Sequence, residues 1–139
     1  MKVKIKLDKG AYMPERAHRT DAGADLRTPY LVTIEPHSSE TIDTGVHIEL
    51  PRGYYGKLES KSGLNVKDSI VSCGGTIDEG YTGSIRVKLY NLSDKPKIFD
   101  VGDKIIQLLI CPVEYCSFDE VDELGYTDRG DNGFGSTGR

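Results

Sequence analysis

The chain has 139 residues, 37% of them hydrophobic and 29% charged, which is enough for one globular domain and too little for a two-domain enzyme. Its 18 basic and 22 acidic side chains leave a formal net charge of −4, whereas a nucleic-acid-binding protein is expected to carry a basic surface. No segment approaches the roughly 18 consecutive apolar residues of a membrane span. We therefore expect a soluble protein without nucleic-acid or membrane partners.

The dominant pattern along the chain is an alternation of apolar and polar residues, which is typical of strands with one buried face. It occurs in residues 2–7, 41–50 and 84–90. A nearly continuous apolar run at 105–110 predicts a strand buried on both faces. A short helical turn around 62–66 is the longest helix that we expect. With turns rich in Gly and Pro between the strands, the pattern predicts an all-β jelly-roll-like barrel or sandwich.

The C-terminal segment differs in composition from the rest. Residues 128–139 are rich in glycine, and Phe134 is their only apolar side chain. Because such a segment buries too little surface to order itself, it should be mobile when alone. We predict a β domain over 1–127 and a glycine-rich arm over 128–139.

The number of cysteines bears on the cellular compartment of the protein. There are three: Cys73, Cys111 and Cys116. Their number is odd, and the N-terminal residues alternate charged and aliphatic side chains rather than forming an apolar export signal. We therefore expect reduced thiols and a cytoplasmic protein. The spacing of Cys111 and Cys116 leaves a zinc site open, but small buried thiols fit better because no second pair follows.

Five short segments contain the residues with the most chemical potential. In chain order they are Ala22-Gly-Ala-Asp25-Leu26, Lys61-Ser62-Gly63-Leu64, Gly75-Thr76-Ile77-Asp78-Glu-Gly-Tyr81-Thr-Gly83, Gly102-Asp-Lys-Ile-Ile-Gln107 and Arg129-Gly-Asp-Asn-Gly-Phe134-Gly135-Ser136-Thr137-Gly138. In this order and at these intervals they resemble the five motifs of the trimeric dUTPase family, and the third and fifth are the most specific.

The resemblance implies a dUTPase-like (β-clip) jelly-roll subunit in a homotrimer, whose C-terminal arm is exchanged over a neighbouring subunit. Each active site would take the first, second and fourth motifs from one chain, the third from a neighbour and the arm from the third chain. The implied enzyme is a dUTP diphosphatase. It would hydrolyse dUTP to dUMP and pyrophosphate with Mg²⁺ on the triphosphate, keeping uracil out of DNA and supplying dUMP for dTMP synthesis.

The resemblance also implies roles in the third motif. Asp78 would accept a proton from the water that attacks the α-phosphorus and would bind the 3′-hydroxyl. A carboxylate suits this role because a base within hydrogen-bond reach activates water. Tyr81 would pack under the sugar and leave no room for a 2′-hydroxyl. The backbone of the 73–77 hairpin, with Gly75, Thr76 and Ile77, would pair with the uracil edge.

The other motifs would hold the phosphates and the metal. The resemblance implies that Asp25 and Gln107 bind waters of the Mg²⁺ shell, since Mg²⁺ usually keeps several waters. Lys61, Ser62 and Gly63 would grip the phosphates. In the arm, Phe134 would stack on the uracil, while four further residues would close over the phosphates: Arg129, Gly135, Ser136 and Thr137.

The chain departs from the family's usual residues at several positions. Lys61 stands where an arginine is usual, so a point charge replaces a planar fork. Glu59 nearby could either pair with Lys61 or repel phosphate. Ile106 replaces a small residue, and Asp131-Asn132 differ from the usual residues of the fifth motif.

Two other functions are compatible with such a chain. A dCTP deaminase resembles a dUTPase in fold and nucleotide site, and a regulatory module of the same fold would only bind the nucleotide. Taken singly, Asp25 and Asp78 also fit ordinary turn carboxylates, and Tyr81 fits core packing. The ordered set of five motifs favours the hydrolase.

Overall fold

The computed structural model describes residues 1–138, which form eleven strands and one short helix. The elements are β1 Lys4–Leu7, β2 Ala24–Arg27, β3 Val32–Ile34, β4 Ser39–Asp43, β5 Val46–Glu49, β6 Tyr54–Glu59, α1 Ser62–Asp68, β7 Ile70–Val71, β8 Thr76–Ile77, β9 Arg86–Asn91, β10 Lys97–Phe99 and β11 Lys104–Pro112. The all-β prediction is confirmed.

The strands pair antiparallel in four small sheets. The four-stranded sheet has the order β2-β11-β6-β8, and the three-stranded sheet has the order β4-β9-β7. Two further pairs, β1-β5 and β3-β10, complete the fold. In the four-stranded sheet β11 lies between β2 and β6, so it is hydrogen-bonded along both edges.

A single core of aliphatic side chains, with one phenylalanine, holds the sheets together. In β9 and the residue before it, Ile85, Val87 and Leu89 are buried while Arg86 and Lys88 are exposed, as the alternation predicts. Residues 105, 106 and 108 of β11 are also buried. The buried apolar residues are Leu26, Val32, Ile34, Ile42, Val46, Ile48, Leu50, Leu58, Ile70, Ile77, Ile85, Val87, Leu89, Phe99, Ile105, Ile106 and Leu108.

The segment 41–50 is not one strand, as its alternation predicted, but parts of two. β4 pairs with β9, whereas β5 pairs with β1. The chain changes partner at Gly45, whose φ of +68° lies in the left-handed region that favours glycine. The Gly45 N–H donates to Oδ1 of Asp43 at 3.1 Å. The apolar pattern continues across the break because both strands bury one face in the same core.

The predicted helical turn is a seven-residue helix, α1, which extends two residues beyond the expected range. It ends at Ser69, whose left-handed φ of 55° stops the helix and whose N–H reaches the Asn65 carbonyl at 3.1 Å. None of the residues of α1 is buried. Within residues 1–138 no helix is long and apolar enough to cross a membrane.

The three thiols are free, but none of them is buried as expected. Cys73 and Cys116 are exposed, and Cys111 on β11 is half-buried. Cys73 precedes a glycine pair in a loop, and Cys116 follows the last strand. The sequence placed neither residue in a strand, so their exposure follows from their loop positions.

Candidate active site

The four-stranded sheet places the first, second and fourth motifs together. Asp25 on β2 lies opposite Gln107 on β11, which lies opposite Glu59 on β6. The Gln107 amide donates from Nε2 to the Ser60 carbonyl at 3.2 Å. A Cβ on Gly23 would lie 2.5 Å from Oε1 of Gln107, so only glycine at position 23 leaves room for this amide.

The Asp25 carboxylate is buried between two lysines. Its Oδ2 lies 2.7 Å from Nζ of Lys104, and its Oδ1 accepts a hydrogen bond from Lys61. The Asp25 side chain is 8% exposed, and the two lysine side chains keep about a quarter to a third of their surface in solvent. The buried charge is therefore paired with two cations whose remaining donors face outward.

Lys104 was missed by the sequence interpretation, because a regular strand would point residues 104 and 107 to opposite faces. A register shift between Lys104 and Ile106 inserts one extra residue against β2. As a result Lys104 lies opposite Arg27, which is two residues from Asp25 along β2. Such a bulge re-aims a side chain, and here it turns Lys104 towards Asp25.

The two lysines determine the charge state of Asp25. Burial alone raises the pKa of this carboxyl, but the hydrogen bonds and charges of Lys104 and Lys61 outweigh it and leave the pKa of Asp25 below its ordinary value. The carboxylate is therefore ionised at neutral pH. Because the pKa is lower in the folded state, its stabilising effect is present above about pH 4, the unfolded value, and is lost as the pH falls through the folded pKa.

We expect Asp25→Asn to lower the free energy of unfolding at pH 7 by about 2 kcal/mol, less than for a fully buried pair because both lysines stay partly solvated. The variant should also lose part of the acid sensitivity of the wild type below about pH 4. Thermal unfolding followed by circular dichroism between pH 7 and 2.5 measures both effects. Asp100→Asn, in the exposed turn after β10, is the control. Parallel curves of melting temperature against pH for wild type and Asp25→Asn would contradict this assignment.

The second motif lies beside Asp25 because Lys61 immediately precedes α1. The backbone of Lys61 is extended (φ −77°, ψ 129°), and its carbonyl accepts the Asn65 N–H at 2.9 Å. Ser62 and Gly63 form the exposed first turn of the helix. Glu59 pairs with Lys57 at 3.1 Å, so the sequence-based alternative of a Glu59–Lys61 pair is wrong.

The third motif begins with the short strand β8, which pairs with β6. The hairpin expected over 73–77 is not formed, because β7, the strand before it, pairs with β9 instead of β8. Thr76 and Ile77 pair with Lys57 and Gly56, and the Gly75 carbonyl accepts the Leu58 N–H at 2.9 Å. A Cβ on Gly75 would lie 3.0 Å from Cδ1 of Leu58, so the backbone at Gly75 lies close to β6. Residues 74–76 are nevertheless exposed to solvent.

Asp78 and Tyr81 follow β8 in one turn. The Tyr81 N–H donates to the Asp78 carbonyl at 3.1 Å, and the Tyr81 hydroxyl donates to the Ser84 carbonyl at 3.0 Å. Both side chains are exposed. They line an open cavity of about 220 Å³ with Leu58, Gly75, Thr76, Ile77, Ile85 and Arg86. Sequence reasoning missed Arg86, because its position in an alternating strand predicted only an outward-facing charge.

Glu79 anchors the same turn from its outer side and was also missed. Its carboxylate accepts the Gly53 N–H at 2.9 Å and the Tyr115 hydroxyl. These hydrogen bonds, chiefly that from Tyr115, lower the pKa of Glu79, and the Tyr115–Glu79 contact raises the pKa of Tyr115. The three groups come from separate parts of the sequence, so no local pattern could have indicated the contact.

The two groups of site residues are far apart in one chain. Glu59 of β6 lies at the level of Asp25, because both are opposite Gln107. Ile77 pairs with Gly56, three residues before Glu59, and Asp78 lies one residue further away. Four residues along a strand at about 3.3 Å each, and three strand spacings of about 4.8 Å, place Asp78 roughly 20 Å from Asp25 along the sheet. A single chain therefore brings Asp25, Lys61, Ser62, Gly63 and Gln107 together, but not with Asp78.

The arm forms a third, separate group. Hydrogen bonds within it join Asn132 N to Arg129 O at 3.1 Å and Ser136 N to Gly133 O at 3.1 Å. Phe134 is fully exposed and has a left-handed φ of 51°. Arg129, Phe134, Gly135, Ser136 and Thr137 line a hollow formed by arm residues.

The family profile described as dUTPase matches residues 9–138. A deoxyuridine 5′-triphosphate nucleotidohydrolase of Corynebacterium glutamicum is 46% identical over 97% of this chain and 93% of its own length. One from Corynebacterium efficiens is 49% identical over 97% of this chain and 76% of its own length. The profile match spans all five motifs.

Solved structures show the same likeness. The dUTPase of Staphylococcus bacteriophage 80alpha with dUpNHpp superimposes with a TM-score of 0.90 at 31% identity, over 99% of both chains. A mutant dUTPase of the S. aureus phage phi11, described with a structural Mg(II) ion, gives a TM-score of 0.84 at 29% identity, over 91% of this chain and 100% of that one. With its motifs, its strand order and its relatives in agreement, this chain belongs to the dUTPase family.

Proposed function

We infer that the protein is an enzyme that hydrolyses dUTP to dUMP and pyrophosphate. The observation that carries this function is the full third-motif turn, with exposed Asp78 and Tyr81 on one cavity, in a chain matched by the dUTPase profile over 9–138. The product dUMP would supply dTMP synthesis, and removal of dUTP would keep uracil out of DNA. We also propose a cytoplasmic location.

We propose Asp78 as the general base. Its carboxylate is exposed beside the cavity, where it can accept a proton from a water molecule. The water oxygen then bonds to the α-phosphorus, the bond from that phosphorus to the bridging oxygen breaks, and pyrophosphate leaves. The same carboxylate would accept a hydrogen bond from the 3′-hydroxyl, which aligns the sugar with the attacked phosphate.

The segment before Asp78, residues 73–77, would select the base. Gly75 and Thr76 expose backbone groups, and Ile77 is buried beneath them, which holds this edge in place. A fixed set of backbone donors and acceptors can match uracil and reject cytosine, whose donor and acceptor groups are exchanged.

Tyr81 would reject ribonucleotides by its position under the sugar, and Gly83 fixes that position. A Cβ on Gly83 would lie within 2.4–2.9 Å of three atoms of the Tyr81 phenol, so Gly83→Ala must displace the ring from its bond to Ser84. Because the ring is half-exposed, it can swing out at little cost in stability. We expect an almost unchanged melting temperature and a roughly tenfold smaller preference for dUTP over UTP in kcat/KM.

The control is Gly125→Ala, since a Cβ there meets nothing within 4 Å. Pyrophosphate release from dUTP and from UTP gives the two kcat/KM values for each variant. An unchanged dUTP-to-UTP ratio in Gly83→Ala would show that the Tyr81 ring does not set sugar specificity.

The described residues fit a Mg²⁺ ion that is held mainly by the substrate. Residues 1–138 contain no cluster of three or more His, Cys, Asp or Glu side chains that could ligate an ion directly. Asp25 already accepts hydrogen bonds from two lysines, so it would contact the Mg²⁺ ion through a water molecule. Gln107, opposite Asp25 on β11, would bind a water of the same shell. When bound to the triphosphate, Mg²⁺ would neutralise part of the phosphate charge.

The phosphates would lie between the second motif and the arm. Lys61 has three ammonium donors, so it can contact Asp25 and a phosphate oxygen at the same time. Ser62 and Gly63 follow it in the exposed first turn of α1. Phe134 would stack on the uracil, with Arg129, Gly135, Ser136 and Thr137 closing over the phosphates.

We propose that three chains form a homotrimer and complete one another's sites. Two observations support this arrangement: the roughly 20 Å between Asp78 and Asp25 in one chain, and the apolar side chains left exposed after β11. Phe118, Leu124 and Tyr126 are each nearly fully exposed, and such side chains favour burial against another subunit. The proposed division is a β domain over 1–127 and an exchanged arm over 128–139.

Product analysis tests the function against its alternatives. A dUTPase releases pyrophosphate and dUMP from dUTP, a deaminase releases ammonia from dCTP, and a regulatory module binds nucleotide without turnover. Light scattering on the same sample tests assembly, with about 46 kDa expected for three 15.3-kDa chains. Ammonia from dCTP, or an active 15.3-kDa monomer, would overturn the corresponding proposal.

A further inference from the structure

His47 on β5 lies between two hydrogen-bond acceptors. Its Nε2 is 3.0 Å from Oδ2 of Asp8, and its Nδ1 is 2.8 Å from the carbonyl oxygen of Thr82. A carbonyl oxygen can only accept, and an ionised carboxylate can only accept. Both contacts are therefore satisfied only when both ring nitrogens carry a proton. The side chain is 20% exposed, so the ring is held with little contact to solvent.

Thr82 directly follows Tyr81, so the hydrogen bond from His47 holds the chain at the end of the turn formed by residues 78–81. The chain leaving the turn is attached to β5 by the Ile85 N–H, which donates to the Val46 carbonyl at 2.9 Å. The chain entering the turn is held by the pairing of β8 with β6. Between these two attachments, His47 reaches the backbone one residue after Tyr81.

We propose that doubly protonated His47 is a positioning residue that holds Thr82, and with it the Asp78–Tyr81 turn, in the geometry that binds the deoxyribose. This inference rests on the proposed dUTPase activity. It adds a residue outside the five motifs, on a strand that contributes no other group to the site.

Charged groups around His47 determine when it is protonated. The hydrogen bond to Asp8 chiefly raises the pKa of His47, the Thr82 carbonyl adds to this, and Lys6 on the paired strand acts against it. Asp43 on β4 is also near enough for the imidazolium to help lower the pKa of Asp43. His47 and Thr82 line a shallow surface cavity with Lys4 and Glu49, which pair with each other at 2.7 Å.

The direction of the pH effect follows from this raised pKa. Below it the ring donates to both acceptors, and as the pH rises through it one proton is lost. Asp8 is the charged and therefore stronger acceptor, so it keeps the remaining proton. The Thr82 carbonyl then loses its donor, and the turn is held less firmly at alkaline pH.

The test compares kcat/KM for dUTP in wild type and His47→Gln from pH 5.5 to 9.5. Glutamine does not titrate and cannot donate to both acceptors in the same geometry. We expect the wild-type value to exceed that of the variant by about three- to tenfold at pH 6, from the loss of one hydrogen bond, and to approach it at pH 9. The difference should lie mainly in KM, because the contact positions the sugar.

Two further variants control the comparison. His37→Gln removes another histidine with a carboxylate partner, Asp94 at 2.7 Å, and should give a pH-independent ratio close to one. In Asp8→Asn, kcat/KM should begin to fall at a lower pH than in the wild type, because the neutral amide no longer favours the imidazolium. A constant wild-type-to-His47→Gln ratio at every pH, of whatever size, would overturn the inference.

A measurement without turnover separates this inference from the proposed function. NMR titration should show the Tyr81 ring and Thr82 amide signals following the protonation of His47, and not doing so in His47→Gln. Failure of the wild type to hydrolyse dUTP would contradict the proposed function. Tyr81 signals that ignore His47 would contradict the positioning role, whether or not the enzyme is active.

Discussion

Replacing Asp78 by asparagine should lower kcat for dUTP by about 10²–10⁴-fold, the range expected when a general base is lost. Asparagine keeps the shape of the side chain and can still hydrogen-bond a hydroxyl, so nucleotide binding should change little. Pyrophosphate release measures kcat, and calorimetric titration with dUpNHpp measures binding. The result should be an inactive protein that still binds the nucleotide.

The matched control for this variant is Asp94→Asn, which changes an exposed carboxylate in the loop between β9 and β10. Its activity and melting temperature should equal those of the wild type. Retention of more than a tenth of the wild-type kcat by Asp78→Asn would show that another group accepts the proton.

Deleting residues 130–139 should reduce kcat/KM for dUTP by about 10²–10³-fold, because the proposed phosphate donors Ser136 and Thr137 and the stacking ring of Phe134 are removed together. The same deletion should leave the melting temperature unchanged. Within the described residues, the hydrogen bonds of this segment join arm residues or Thr127 rather than the β core. Large loss of activity without loss of stability is the expected signature of a closing arm.

Phe134→Ala in the full chain resolves one component of this effect. Loss of a single base-stacking ring should raise KM for dUTP about tenfold and leave the melting temperature of the chain unchanged. Wild-type kcat/KM in the deletion variant would remove the arm from the site. A lowered melting temperature, or an assembly of fewer than three subunits, in the deletion variant would instead assign the arm a structural role.

The β-rich class and the site motifs followed from local information. A period of two predicted the buried side chains of residues 85, 87 and 89, because successive strand residues point to opposite faces. The ordered motifs predicted the family from residue types and spacing alone, and the profile and relatives confirm that family. Individual roles of the motif residues stay predictions for the experiments above.

The same local information misled at residues 41–50. Alternation continues through this segment, but the chain changes partner at Gly45 and enters another sheet. An alternating pattern states which face is buried and leaves open which strand lies alongside. Partner choice depends on contacts far away in sequence, so it appeared only in the folded chain.

What the sequence determined by itself is the set of chemical groups: a carboxylate and tyrosine in one turn, a lysine–serine pair, an amide within an apolar strand and a glycine-rich arm. The tertiary structure decided which groups meet. A bulge in β11 turns Lys104 onto Asp25, Glu79 joins Gly53 and Tyr115, and His47 reaches Thr82. Each of these contacts joins distant segments through strand register or loop path, and neither quantity is encoded in residue spacing along one segment.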